Sequence, residues 1–155
     1  MSEQNISAGG RKRNRDIMTA NVTTAASQMP LRQVAELMRS GDVGSLPVVE
    51  GGKLVGIVTD RDIVIRALAA GKGPETPVAE AMTTEIFFVR PDGFVFETIR
   101  AMGDHRVRRL PVVDENGLLA GIIAMADIAL ETEDEREIAE ALEEISSGSG
   151  FWGKK

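Results

Sequence analysis

Thr59 and Asp62 set a hydroxyl and a carboxylate three residues apart, where an apolar run rich in β-branched residues gives way to a helix. Residues at that spacing on a helix start share a face. There the Asp62 carboxylate can accept both hydroxyls of a ribose, with the Thr59 hydroxyl beside it as donor or acceptor. The same spacing also makes a capping arrangement, with Thr59 as the cap and acidic Asp60 and Asp62 at the positive end of the helix. The two readings are compatible, and both stay open at the level of sequence. Further on, Asp127 keeps the carboxylate, but Ala124 stands where the hydroxyl was and Met125-Ala126 replaces Asp60-Arg61. That copy is expected to bind weakly or differently. Positive charge gathers in His105-Arg106-Val107-Arg108-Arg109, where the earlier counterpart is Asp42-Val43-Gly44-Ser45. An Arg fork suits phosphate bidentately. His105, at an expected helix end, is expected to interact with that end rather than serve as a ligand.

These residues sit in a chain that repeats itself. Leu46-Pro47-Val48-Val49 returns as Leu110-Pro111-Val112-Val113, and Asp16-Ile17-Met18-Thr19 returns as Glu80-Ala81-Met82-Thr83, both at an offset of sixty-four. Gly56 to Ile63 returns as Gly121 to Ile128, one residue later, and the turn Asp114-Glu115-Asn116-Gly117 absorbs the extra residue. Two copies of one supersecondary unit, each too small for a good core, are expected to pack together. In the first copy, Val22-Thr23-Thr24 reads as extended. Met29, Leu31, Val34, Ala35, Leu37 and Met38 mark a helical face that Gly41 stops. Leu46–Val49 and Leu54–Val58 around Gly51-Gly52 read as a hairpin, and Asp60 opens a second helix through Leu68. The second copy repeats the order: extended Ile86–Val89, a helix marked by Val95, Ile99 and Met102, a hairpin around Asn116-Gly117, and a helix from Ala126. The expected organisation is a basic arm over 1–14, repeats over 15–71 and 79–131 joined by a linker at 72–78, an acidic amphipathic helix over 132–146 and a flexible tail over 147–155. Phe151 and Trp152 in that tail are candidates for docking.

Composition removes several function classes. The chain has 155 residues, a hydrophobic fraction of 43%, a formal charge of −6 and no cysteine. Disulfides, thiolate metal sites and cysteine catalysis are therefore excluded. No metal site is expected. No apolar run reaches transmembrane length and none follows the basic stretch as in a signal peptide, so a cytoplasmic protein without membrane association is expected. The acidic balance argues against nucleic acid, leaving the Arg11–Arg15 stretch as a weak footprint. Catalysis is not expected either. Asp60 and Asp62 face different sides of the helix start, and no phosphate-loop glycine pattern or multi-histidine cluster accompanies them.

The doubled pattern resembles the cystathionine β-synthase (CBS) domain family, in the tandem arrangement called a Bateman module. It rests on the Asp-x-Met-Thr opening, the Leu-Pro-Val-Val strand and the Gly-hydrophobic-x-Thr-x-x-Asp signature, over roughly Arg15 to Leu130. The short architecture is similar to small stand-alone bacterial CBS-pair proteins, including hypoxic-response proteins, and so to a stress-response setting. The resemblance implies an α/β (α+β) fold of two β-α-β-β-α repeats, related by pseudo-twofold symmetry and packed sheet to sheet, plus the C-terminal helix. It also implies a homodimer and a regulatory module that binds an adenine nucleotide (AMP, ADP or ATP; NAD or S-adenosylmethionine share the adenosine) between the repeats. No cofactor is obligatory. In that picture Asp62 and Thr59 hold ribose, with Asp60 beside them. Arg108 or Arg109 contacts phosphate across a composite cleft, Asp127 marks a second, weaker site, and adenine lies against Val22 to Ala25, Pro47 and Ile57. The output would pass to an unidentified protein partner; a ligand-free dimerisation scaffold is the alternative.

Overall fold

The computed structural model describes residues 12–131 and 135–147. Arg11 and the Phe151-Trp152 pair lie outside the described residues. The fold is mixed α+β, with two small sheets in two units. Of the described residues, one unit holds 21–86 with 116–119, and the other holds 12–20, 87–115, 120–131 and 135–147.

In the first unit, strand β1 (Ala25–Ala26) leads to Pro30, which enters helix α2 (Leu31–Gly41); the short helix α1 (Asn14–Ile17) ahead of them belongs to the other unit. The extended segment of this repeat therefore pairs at Ala25–Ala26, just past Val22–Thr24. Gly41 is the last helical residue, and the left-handed stop falls on Asp42 at φ 51°. Arg106 does the same for the matching helix of the second repeat, at φ 57°. Strands β2 (Ser45–Glu50) and β3 (Lys53–Thr59) form the expected hairpin, and Gly51 and Gly52 supply the positive φ angles of its turn. Leu46 faces Val58, Pro47 faces Ile57, and β1 adds to β2 in parallel. At the far end Glu50 accepts from the Ser27 amide, and its hydrogen bonds to Ser27 hold its carboxyl below the usual carboxylate range. Helix α3 (Asp60–Asp62) runs on into a π-helical stretch (Ile63–Leu68). Leu31, Val34, Leu46, Val48, Val58, Ala67 and Val78 are buried in one core.

The second unit contains α4 (Val95–His105), the hairpin of β4 (Arg109–Val113) and β5 (Leu119–Ala124), α5 (Met125–Glu131) and α6 (Glu135–Ser147). Of the extended Ile86–Val89 segment, Val89 pairs in parallel with Val112. Ile99, Met102, Leu110, Val112, Ile123 and Ile128 form the core. The acidic helix α6 docks here: Ile138 and Ala141 are buried in this core, and a Cβ on Gly103 of α4 would lie 3.3 Å from the Ala141 Cα. Lys12 to Asn14, expected in the arm, also take part in this unit. Asn14 is 1% exposed; its Nδ2 donates to the Arg90 carbonyl (2.8 Å), and the Thr98 hydroxyl donates to its Oδ1 (2.7 Å).

Each repeat lends its opening segment to the other repeat's hairpin. Thr19 exchanges backbone hydrogen bonds with Ile122 of β5 (2.8 and 2.9 Å), and Thr83 does the same with Ile57 of β3 (2.9 and 2.8 Å). Glycine makes room each time. A Cβ on Gly121 would stand 2.5 Å from the Thr19 carbonyl oxygen, and one on Gly56 would stand 2.6 Å from the Met82 sulfur. The first obstacle is a backbone atom already fixed by pairing; the second is near the end of a flexible side chain, with the paired Thr83 carbonyl oxygen farther off at 3.1 Å. Gly121→Ala is therefore expected to destabilise by about 1–3 kcal/mol, and Gly56→Ala by less. Urea denaturation of both variants measures this, and equal losses would contradict the distinction.

Candidate functional site

The hairpin and helix of the first repeat converge at Thr59. Side chains alternate along a strand, so Ile57 and Thr59 share one face of β3 while Val58 points into the core. Cross-strand partners share a face too, which puts Pro47 opposite Ile57 and Ser45 opposite Thr59. Here the chain turns into α3. The Asp62 amide donates to the Thr59 hydroxyl oxygen at 3.0 Å, and the Thr59 amide donates to Asp62 Oδ2 at 3.0 Å. This is a reciprocal capping box, and it satisfies two backbone donors that a helix start leaves without partners.

The capping reading is thus realised, and it leaves acceptor capacity over. A carboxylate offers about four lone-pair sites, and the Thr59 amide takes one. Asp62 Oδ1 faces Arg66, whose Nε lies 3.7 Å away, as an ion pair. The Asp62 side chain is 15% exposed, so its remaining lone pairs sit at the rim rather than deep inside. Asp60 points its chemistry elsewhere: its Oδ1 accepts from the Arg61 amide (2.8 Å), and its own amide donates to the Gly44 carbonyl (2.9 Å). Val22 is half-buried on the approach to β1.

Arg108, Arg109 and Asp127 belong to the other unit. The Met125 amide donates to the Arg108 carbonyl (2.8 Å), repeating the Asp60–Gly44 contact of the first copy. Both arginines are exposed, and neither side chain forms a hydrogen bond or ion pair among the described residues. Asp127 is half-buried at the start of α5. With Ala124 in place of the threonine, no side-chain cap is made there, and among the described residues the Asp127 carboxylate has no partner. The lone histidine stacks on Phe87, with ring centroids 3.6 Å apart, rather than bonding its helix end.

Arg66 was absent from the candidate residues of the sequence. The signal was there, an acid followed by a base at i, i+4 on a helix, but it belongs equally to any solvated helix face.

Residues 15–68 and 78–134 match the CBS domain, so the chain belongs to the CBS domain family and carries two of its domains in tandem. The CBS domain-containing protein YhcV of Bacillus subtilis is 39% identical over 132 residues, 85% of this chain and 94% of its own. Hypoxic response protein 1 of Mycobacterium tuberculosis is 43% identical over 117 residues, 74% of this chain and 81% of its own. Among solved structures, that of hypoxic response protein I with two coordinated zinc ions superimposes with a TM-score of 0.71 at 40% identity, covering 77% of this chain and 98% of that one. The CBS domain pair of MJ0100, in complex with 5-methylthioadenosine and S-adenosyl-L-methionine, gives 0.68 at 29% identity over 77% and 94% of the two chains. CBSX2 in complex with AMP gives 0.69 at 27% identity over 76% and 93%.

The capping box carries its own prediction. Thr59→Ala removes the acceptor for the Asp62 amide and is expected to cost about 1 kcal/mol of stability, while Thr59→Ser stays near wild type. Urea midpoints of the two variants test this; a loss in both would point to the threonine methyl group instead.

Proposed function

We propose that this protein is a non-catalytic regulatory module that binds an adenine nucleotide and passes the binding event on through its dimer or a protein partner. The observation that carries this reading is the Asp62 carboxylate. It is fixed in orientation by the Thr59 amide, is 15% exposed, and keeps lone pairs for a vicinal diol. Support comes from related CBS pairs whose structures contain AMP, S-adenosylmethionine or methylthioadenosine, all of which share the adenosine group. Thr59 and Asp62 take the ribose. Arg108 or Arg109, with guanidinium groups unengaged among the described residues, takes phosphate. Half-buried Ile57 and Val22 offer the apolar surface for the base, with Pro47, opposite Ile57 across the hairpin, itself buried. Among the described residues the Asp127 carboxylate lacks the amide contact that orients Asp62, and it marks the weaker site. AMP, ADP and ATP are the first candidates, ahead of NAD and S-adenosylmethionine.

The zinc of the hypoxic response protein is not carried over. This chain has no cysteine and one histidine. Among the described residues no three potential ligands gather. Likewise no described helix is long and apolar enough to cross a membrane.

Calorimetric titration with AMP, ATP, NAD and S-adenosylmethionine tests the reading. Asp62→Ala is expected to weaken binding about 10- to 100-fold, the loss of a hydrogen-bonded charged acceptor. Circular dichroism serves as the check that the variant still folds. Arg108→Ala and Arg109→Ala should weaken AMP while leaving adenosine nearly unchanged. Absence of saturable binding by every adenosyl compound would reject the nucleotide reading.

The scaffold alternative draws on a different observation. Val64, Ile65 and Leu68 are 51%, 53% and 69% exposed along one short helical stretch, an apolar surface that a second copy would cover. Sedimentation equilibrium should give a dimer mass for the wild type and a shift toward monomer for Ile65→Asp with Leu68→Asp. A monomeric wild type would remove both the dimer and the scaffold reading.

A further inference from the structure

Arg66 connects the candidate ribose acceptor to the segment that begins the second repeat. Its Nε lies 3.7 Å from Asp62 Oδ1, and its Nη1 donates to the Met82 carbonyl at 3.2 Å. Met82 is followed by Thr83, whose backbone pairs in both directions with Ile57. Met82 itself lies against Gly56, close enough that a Cβ there would meet its sulfur. One guanidinium therefore touches both the carboxylate at the head of α3 and the connector laid along β3.

The two contacts differ in kind. At 3.7 Å the Asp62–Arg66 pair lies beyond hydrogen-bond range, and Arg66 is half exposed, so it is a weak, water-accessible ion pair. A ligand hydroxyl donating to Oδ1 at ordinary hydrogen-bond distance replaces that pair with a stronger contact. When it does, Arg66 loses the charge that helps hold its side chain over Met82. The second repeat has no such bridge: Glu131 occupies the position matching Arg66, and its carboxylate pairs with Lys12 at 3.6 Å.

We infer that Arg66 is a positioning residue that couples occupancy of Asp62 to the Met82–Thr83 connector. A diol on Asp62 competes with Arg66 for Oδ1, and the freed arginine loosens its hold on the connector. The ligand half of this inference rests on the nucleotide reading above; the coupling half does not.

The test is amide hydrogen exchange at Thr83, read against the Met38 amide in the buried part of α2 so that global unfolding is separated from local opening. The variants are wild type, Asp62→Asn, Arg66→Gln and the double substitution, all without ligand. Each single change is expected to speed Thr83 exchange about two- to fivefold, and the double change no more than either single one, since both break the same bridge. No effect of Arg66→Gln, or additive effects in the double variant, would overturn the coupling. AMP should then speed Thr83 exchange in the wild type but not in Arg66→Gln, and should bind Arg66→Gln about two- to fivefold more tightly. AMP that binds but leaves Thr83 unchanged, or that binds Arg66→Gln less well, would overturn the competition. If AMP does not bind at all, the nucleotide reading fails, while the four ligand-free variants still decide the coupling.

Discussion

The backbone exchange at Thr19–Ile122 and Thr83–Ile57 is the constraint on which the other features depend. A two-stranded hairpin leaves an open edge, and a short strand next to it gains hydrogen bonds only if its backbone can come close. Gly121 and Gly56 permit that approach, and the methionine of each Asp/Glu-x-Met-Thr opening packs into the space where a Cβ would be. Because the segment that closes the second hairpin precedes the first repeat, the second unit is not a continuous stretch of chain; the segment that closes the first hairpin lies within residues 21–86, and that unit is discontinuous only in taking in residues 116–119. The linker and the chain entry are thereby tied into the cores. Asn14, buried with its amide on the Arg90 carbonyl and on Thr98, anchors the entry on one side; Val78, buried in the first core, anchors the linker on the other.

That closure also explains why the two copies can diverge in chemistry without diverging in fold. Hairpin, glycine and methionine are retained in both. The helix start is where they differ: Asp60 is exposed at the head of α3, whereas its counterpart Met125 is buried in the second core. In the first copy Thr59 and Asp62 satisfy each other's backbone, and Arg66 follows on the next turn. In the second copy Ala124, Asp127 and Glu131 occupy these places, leaving a half-buried carboxylate that no amide holds among the described residues. Charge is distributed in the opposite sense. The residues ahead of β4 are cationic where those ahead of β2 are small, so the acceptor and the cations were placed on different repeats.

Much of this is legible in the sequence, because it is local. Gly51-Gly52 and Asn116-Gly117 announce their turns, and alternation along Lys53–Thr59 fixes which side chains share a face. The threonine three residues before Asp62 announces the cap. What could not be read is which hairpin each opening segment closes. An offset of sixty-four is the same whether Thr83 lies on its own repeat or on the other, and periodicity carries no information about the choice. Asn14 was hidden in the same way, since a polar residue among Arg13 and Arg15 looks solvated until Thr98 and Arg90 are brought to it. The left-handed stop at Asp42 was displaced from Gly41 because the residue before the stop tolerates glycine, whereas the sequence signal cannot say which of two neighbours takes the positive φ.

Capping and ligand binding are often treated as rival explanations of a carboxylate at a helix start, but here the cap is what would make the site. A free aspartate at a surface turn samples several rotamers, and a ligand that fixes it must overcome that entropy. Asp62 is already fixed by the Thr59 amide on one oxygen, and only the weaker Arg66 pair holds the other. The cost of orienting the acceptor has therefore been met in folding, and the contact left to be exchanged on binding is the one of least strength. Asp127 has the same charge and a comparable burial, yet among the described residues no amide holds its carboxylate. The physical difference between the two copies is thus the orientation of the carboxylate, which the Thr59 backbone amide holds in the first copy.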